Sequence, residues 1–294
     1  DKTMSGTATN RSNILLPTEV SSEIIQKTQE ASAVMQLARN IPLPGNGLTI
    51  PIITSDPEPA WAGETEAKPV SNPGLSQKVM RGYTLAVIVP FSKQFRRDMA
   101  KLYDALISRL PNALGLKFDN TVFGGTAAPG DDFDTLANVT AHSLASDVYG
   151  GLVNADTQIS MAGGINNGYV ISPQAKGILL GAVDKNDRPL FINSVAEGAI
   201  PMILGVPTKT TKGAYIDGSP KTVGFAGDWE KAWYGIVEGV DISISDQATL
   251  DLGGGQVINL FQQNMFAVRA EIEVGFVADT EVFAKLTASS VPSF

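Results

Sequence analysis

From Val20 to Ala38 apolar residues recur at the spacing of one helical face: Val20, Ile24, Ala31, Val34, Met35 and Ala38. That period predicts a helix over about 18–39. The pattern changes at IPLPGNGLTIPIITSD (41–56), where prolines and β-branched residues favour extended backbone at or beyond a sheet edge. A second extended run, LSQKVMRGYTLAVIVPFS (75–92), follows WAGETEAKPVSNPG (61–74). Residues 48–90 therefore read as two strand arms with Lys68 near their far end. At about 3.3 Å per residue such arms reach on the order of 40–60 Å, too long to lie inside a compact domain. A hairpin of that kind projects, and an exposed projecting hairpin tends to pair with another chain.

From Ser92 the period is helical again, with Phe95, Met99, Leu102, Tyr103, Leu106, Leu110, Ala113, Leu114 and Phe118 forming one stripe toward Val122. Pro111 is expected to kink or split this helix, because its ring opposes the preceding turn. The glycine and aspartate cluster FGGTAAPGDDFD (123–134) ends it. Beyond lie a helix near 143–156, the strand GYVIS, a helix from about Pro173, and short strands around PMILGVP, VGFAGDW, YGIVEGV and DISIS. A long half-buried strand closes the chain, with Phe266, Val268, Ala270, Ile272 and Val274 on one face and Arg269, Glu271 and Glu273 on the other. Residues 1–13 are polar and aperiodic, an arm ordered only by contacts with something else. The fold class is α+β.

Composition narrows the chemistry. The 294 residues suffice for one large domain or two ordinary ones, and contain no cysteine and a single histidine, His142. Disulfides, thiolate metal sites and two-imidazole sites are excluded, so neither cofactor nor metal is expected. A net charge of −8 without a basic cluster argues against sequence-specific DNA binding. No apolar run approaches the roughly 20 residues that span a bilayer.

An enzyme reading would start at TAHSLASD (140–147), where Ser143, His142 and Asp147 supply the residue types of a serine hydrolase triad. No GxSxG elbow accompanies them, and triad partners usually come from separate elements, so a solvated histidine at a helix start is favoured. Asp131, Asp132 and Asp134 lack the spacing of a calcium loop and are read as capping a turn. The glycines at 124–125 and 253–255 lack a phosphate-loop pattern and are read as turns.

Several runs, in order, carry a resemblance: LLPTEVSSEII, AWAGETEAKPVSNP, FSKQFRRDM, YVISPQAKGILLGAVDKNDRPLF, LGVPTKTT, GFAGDWEKAW and NMFAVRAEIEVGFVADTEVFAKL. Together the chain resembles the tailed-bacteriophage major capsid protein family, with the Hong Kong phage type capsid fold. The resemblance implies an N-terminal arm (1–17), a peripheral domain (18–47, continued in 91–135 with the spine helix and in 251–294), an extended β-hairpin loop (48–90) and an axial domain (136–250). It implies a non-enzymatic subunit of the virion that self-assembles as hexamers and pentamers into an icosahedral shell around double-stranded DNA. Assembly in the bacterial cytoplasm is implied too, with portal, scaffold and decoration proteins as further partners and no membrane. An encapsulin-type compartment shell is the alternative within the fold, distinguished by protein cargo in place of DNA.

Some members of that family weld their shells through an isopeptide bond from a loop lysine in a KP context to an asparagine of a neighbouring chain, helped by a glutamate of another. Local context places these roles on Lys68 in EAKPVS, Asn264 in QNM and Glu271 as the base. Only about one lysine in 10³ is neutral at pH 7, so attack on a carboxamide requires desolvation and a nearby base. Ordinary roles compete: a salt bridge for Lys68, a surface pair beside Arg269 for Glu271, and termination of a helix or strand for Asn264.

Overall fold

The computed structural model describes residues 18–55, 59–62, 67, 70–71, 74–184, 186–191, 202–237 and 239–289. In chain order the helices are α1 (Thr18–Ala31), α2 (Ala33–Leu37), α3 (Met99–Val122), α4 (Val148–Met161) and α5 (Pro173–Leu180). The first strands are β1 (Arg39–Asn40), β2 (Leu48–Ser55), β3 (Gly74–Met80), β4 (Tyr83–Ser92), β5 (Thr140–Ser143) and β6 (Gly168–Ile171). They are followed by β7 (Met202–Ile203), β8 (Val206–Thr210), β9 (Lys221–Gly227), β10 (Ala232–Ile236) and β11 (Asp241–Ser245). The last are β12 (Thr249–Asp251), β13 (Val257–Asn259), β14 (Met265–Ala278) and β15 (Phe283–Ala288). The chain is α+β and divides into two compact units.

One unit contains Thr84–Leu114, the described residues up to Thr28, and those from 239 to Ile272. Here the first half of β14 pairs antiparallel with β11, from Asp241 opposite Glu271 to Ser245 opposite Ala267, and β4 also pairs with β14. The expected alternation holds from Val268 on: Val268, Ala270 and Ile272 are buried, Arg269 is exposed and Glu271 half-buried, whereas at the start of the strand Ala267 is buried along with Phe266. Against them pack Leu102, Leu106, Leu110 and Leu114, spaced every fourth residue on α3, and Ile24 of α1.

Pro111 does not split the spine helix, which runs unbroken from Met99 to Val122. A proline inside a helix costs about 3 kcal/mol, but fully buried leucines flank it at 110 and 114, each contributing roughly 1.5–3 kcal/mol. The helix also starts later than its period suggests. Lys93–Arg97 form a 3-10 turn, and the Asp98 side chain accepts the Lys101 N–H at 3.3 Å.

The other unit contains Gln29–Tyr83, Gly115–Val237 and the chain from Glu273 on. Its centre is a six-stranded sheet in the order β5-β15-β9-β6-β8-β7. Leu152, Ala155 and Ile159 of α4 and Ala175 and Leu179 of α5 pack with Tyr169, Val223 and Leu286 of that sheet. The helix expected near 143–156 begins at Val148, where Asp147 caps it by accepting the Gly150 N–H at 2.9 Å. Residues 140–143 are instead strand β5, parallel to β15.

The second half of β14 pairs with β10, whose other edge carries β1. Gly275 and Val277 are buried here as well as the even positions, so the alternation stops. The cause is a second covering layer: a Cβ on Gly275 would crowd the Met80 side chain at 2.8 Å, and Val277 packs with Leu43 and Met80.

The hairpin itself is β2 against β3, in register from Leu48 opposite Met80 to Ile53 opposite Leu75, with a one-residue shift before Ser55 opposite Gly74. Its paired stretch, eight residues on β2, covers about 25 Å. The second extended run is divided at Arg81–Gly82, so that β3 pairs with β2 and β4 with β14. The helix expected over 18–39 is also divided. Ser32 is extended (φ −88°, ψ 122°), and its hydroxyl accepts the Met35 N–H at 3.1 Å to start α2.

Candidate assembly and cross-link site

The base of the hairpin is tied down by charge. Lys78 Nζ donates to Asp134 Oδ2 and to the Ala278 carbonyl, both at 2.8 Å, and the same Oδ2 accepts the Ala278 N–H at 3.0 Å. This closed triangle joins β3, the 131–134 turn and the end of β14. Arg81 Nε lies 3.1 Å from Asp132 Oδ2, and the Tyr83 hydroxyl accepts the Asp132 N–H at 3.2 Å. Gly130 lies beneath that ring, where a Cβ would approach the Tyr83 hydroxyl to 2.5 Å and force the ring to shift. The aspartates do more than cap a turn: two of them orient the hairpin base.

Lys78→Met should therefore loosen the hairpin while leaving the rest of the fold intact. The pair is about a quarter to a third exposed, so the expected loss is only about 1–2 kcal/mol. Amide hydrogen exchange across β2 and β3 should accelerate about 5- to 30-fold relative to β9.

Of the proposed cross-link residues, Lys68 lies outside the described residues. Asn264 sits exposed in the turn entering β14, with φ +53°. Its carbonyl accepts the Lys93 N–H at 3.1 Å, leaving the carboxamide on the surface. Asparagine tolerates this left-handed backbone better than most residues, so the turn alone favours it. Glu271 is half-buried opposite Asp241, and Arg269 Nε lies 2.9 Å from its Oε1. Seven residues of extended chain put Glu271 up to about 23 Å from Asn264. One chain does not bring them together.

The residues of the hydrolase reading are likewise kept apart in role. His142, on a strand and not at a helix start, has Nε2 3.0 Å from Gln158 Oε1; the Ser143 hydroxyl accepts the Ala145 N–H at 3.2 Å; Asp147 caps α4. Among the described residues no cluster of His, Cys, Asp or Glu could hold a metal ion, and no helix is long and apolar enough to cross a membrane.

One buried group had no counterpart in the sequence reading. Asp119 of α3 is fully buried and accepts from the Ser32 hydroxyl, the N–H groups of Ala33 (2.9 Å) and Val34 (3.2 Å) and the Thr211 hydroxyl (3.2 Å). Burial pushes its carboxyl up to about 6, against the opposing pull of these four hydrogen bonds. The available signal was Gly115 one turn earlier: a Cβ there would come within 3.1 Å of the Ser32 nitrogen, so a larger residue requires the α1–α2 junction to give by a few tenths of an ångström.

Among the described residues, the features that bear on assembly are the charge anchors at the base of the hairpin and the exposed Asn264 turn. The model of the phage capsid family matches residues 12–288. The probable major capsid protein gp17 of Mycobacterium phage L5 is 30% identical, covering 92% of this chain and 89% of the relative. The major capsid protein of Staphylococcus phage 80alpha is 24% identical, covering 92% and 84%. Among solved structures, a chain from Microbacterium phage Oxtober96 superposes with a TM-score of 0.67 at 21% identity, covering 87% of this chain and 91% of that one. A capsid chain of an empty GTA particle gives 0.64 at 13%, covering 98% and 96%. The chain belongs to the phage capsid family. Its role is that of a phage major capsid protein, the repeated subunit of a virion shell.

Proposed function

We propose that this subunit assembles as hexamers and pentamers into an icosahedral shell around double-stranded DNA. The observation that carries this reading is the hairpin: anchored by Lys78 and Arg81 at its base, it holds Trp61 and Val70 fully open to solvent. Such exposure suits a segment covered by a neighbouring copy. In this reading residues 48–90 form the intersubunit loop, 136–250 the axial domain and 1–17 an arm across subunits. Shell growth proceeds in the bacterial cytoplasm with portal, scaffold and decoration proteins. The net charge of −8 suits a container that holds DNA delivered to it without trapping nucleic acid during assembly. Expression of the chain should yield closed particles by electron microscopy; a subunit that stays monomeric under all assembly conditions would overturn the reading.

Mature shells are proposed to be welded by Lys68, Asn264 and Glu271 from different subunits. The Lys68 Nζ attacks the Asn264 side-chain carbonyl carbon, Glu271 takes the proton, the carbon–nitrogen bond to the old amide breaks, and ammonia leaves with that proton. The separation of Asn264 from Glu271 along one chain supports an arrangement in which they come from separate copies. Denaturing electrophoresis of mature particles should show covalent ladders, with about 17 Da lost per bond. Lys68→Arg and Asn264→Asp should each abolish them. A single band of unaltered mass from mature wild-type shells would sink the weld and leave the shell intact.

A further inference from the structure

We infer that Asn46 is a site of spontaneous covalent modification: it closes on the Gly47 nitrogen to an imide, which water opens to aspartate or isoaspartate at the base of the hairpin. The reaction needs no second copy and goes beyond the shell reading. Asn-Gly occurs twice in the chain, at 46–47 and 167–168, and the fold treats the two differently. Asn46 is exposed in the turn at 44–47, where the Gly47 N–H donates to the Pro44 carbonyl at 2.9 Å. Gly47 has φ +91° and no side chain to shield its nitrogen. Opening this turn forfeits one exposed hydrogen bond, which lowers the reactive population only about 2- to 10-fold. Asn167 is held. Its Oδ1 accepts the Trp229 N–H at 2.9 Å, its Nδ2 donates to Asp228 Oδ1 at 3.3 Å, and its own N–H donates to the Gly227 carbonyl at 3.1 Å. Gly168 is buried in β6 opposite Gly227, and its carbonyl accepts the Trp229 indole N–H at 3.0 Å. The Asn167 carboxamide reaches the Gly168 nitrogen only when these contacts and the strand pairing open together.

The Gly47 N–H gives its proton to solvent base, the nitrogen bonds to the Asn46 side-chain carbonyl carbon, the bond from that carbon to Nδ2 breaks, and ammonia leaves. Water then adds to one of the two imide carbonyls. Opening at the side-chain carbonyl leaves aspartate. Opening at the main-chain carbonyl leaves isoaspartate, in which the main chain runs through the former side chain and is one methylene longer. Either product carries a new carboxylate and is about 1 Da heavier than the starting chain. The position matters for the hairpin. A Cβ on Gly47 would stand 3.0 Å from the Met80 carbonyl oxygen and 3.2 Å from Arg81 Cγ, and Leu48 pairs with Met80. The extra methylene falls just before β2. The new carboxylate falls one residue from the Arg81 stem, where it competes with Asp132 for the guanidinium. Modification therefore loosens the hairpin base as the chain ages.

Full-length unassembled subunits are incubated in mildly alkaline buffer made with heavy-oxygen water, folded in one sample and in denaturant in another, until the denatured chain has half converted at both sites. Peptide mass mapping of the folded sample should show residue 46 gaining about 3 Da, with isoaspartate, read by an isoaspartyl methyltransferase, in excess of aspartate. Conversion at Asn46 should outpace that at Asn167 by at least about 30-fold in the folded subunit. In denaturant the two rates should agree within about threefold, because the local sequence alone then governs them. Asn46→Gln, which would have to close a six-membered ring, should lose the signal at 46 and keep that of Asn167. Hydrogen exchange in β2 and β3 should be faster in the modified fraction than in aged Asn46→Gln. Equal rates at the two sites in the folded subunit, or no conversion at 46, overturn the inference; unchanged exchange in β2 and β3 overturns the loosening. The imide lacks the same roughly 17 Da as the proposed weld, but it runs in the monomer band and persists in Lys68→Arg, so the two succeed or fail separately.

Discussion

Asp119→Ala is expected to destabilise the subunit by about 3–5 kcal/mol, because it strands four donors in a site closed to water: two hydroxyls and two backbone N–H groups. Asp119→Asn should cost about 2–3 kcal/mol, since the amide offers an oxygen to one pair of donors and presents an N–H₂ to the other. The carboxyl titrates near 6 in the folded chain against an ordinary 3.8, chiefly because it is buried. The folded protein therefore holds a proton that the unfolded chain releases. That part of the stability is complete below about pH 4 and is lost as the pH rises through 6. Its slope is at most about 1.4 kcal/mol per pH unit. Chemical denaturation of unassembled subunits should show the penalty of Asp119→Asn growing as pH falls from 7 to 5. A penalty that shrank over this range would mean that the four hydrogen bonds outweigh burial and hold the carboxylate ionised.

Phe118→Ala is expected to cost about 3–5 kcal/mol. The ring is 2% exposed and meets Phe133 and Phe276 edge-on, each at 6.2 Å, and Tyr234 at 6.5 Å. It joins the 131–134 turn, which holds the hairpin base, to β14 and β10. Truncation leaves a cavity that three rings cannot close without abandoning their edge contacts. Phe118→Leu should recover more than half of the loss, since volume is mostly conserved. Denaturant midpoints measure both. A loss below about 1 kcal/mol for alanine would show that the cluster collapses freely and does not set the hairpin base.

How far the sequence could be read depended on whether a feature repeats locally. The leucine stripe at 102, 106, 110 and 114 and the alternation from Val268 to Ile272 are periodic, and both lie where their periods place them. Ordered resemblances along the chain carried the family. Errors fell where one residue acts through a distant partner. Pro111 is a local exception: the helix runs through it unbroken, with Leu110 and Leu114 buried beside it. The helix over 18–39 breaks because Ser32 meets Asp119, 87 residues away. The strand at His142 exists because β15 lies alongside it. For the cross-link, residue types were legible and distances were not, as Asn264 and Glu271 belong to one strand and its entering turn yet stand far apart along it.

The sequence by itself determined the α+β class, the family, the long spine helix, the closing strand and the exclusion of thiolate and two-imidazole metal sites. These depend on composition, on periods of 3.6 and 2, and on ordered motifs, all local in the chain. Only the tertiary structure decided that Asp119 is a buried hub and that Lys78 and Asp134 fasten the hairpin. Each is a meeting of residues remote in sequence, and burial and hydrogen-bond geometry at such meetings follow from packing, which no local pattern encodes.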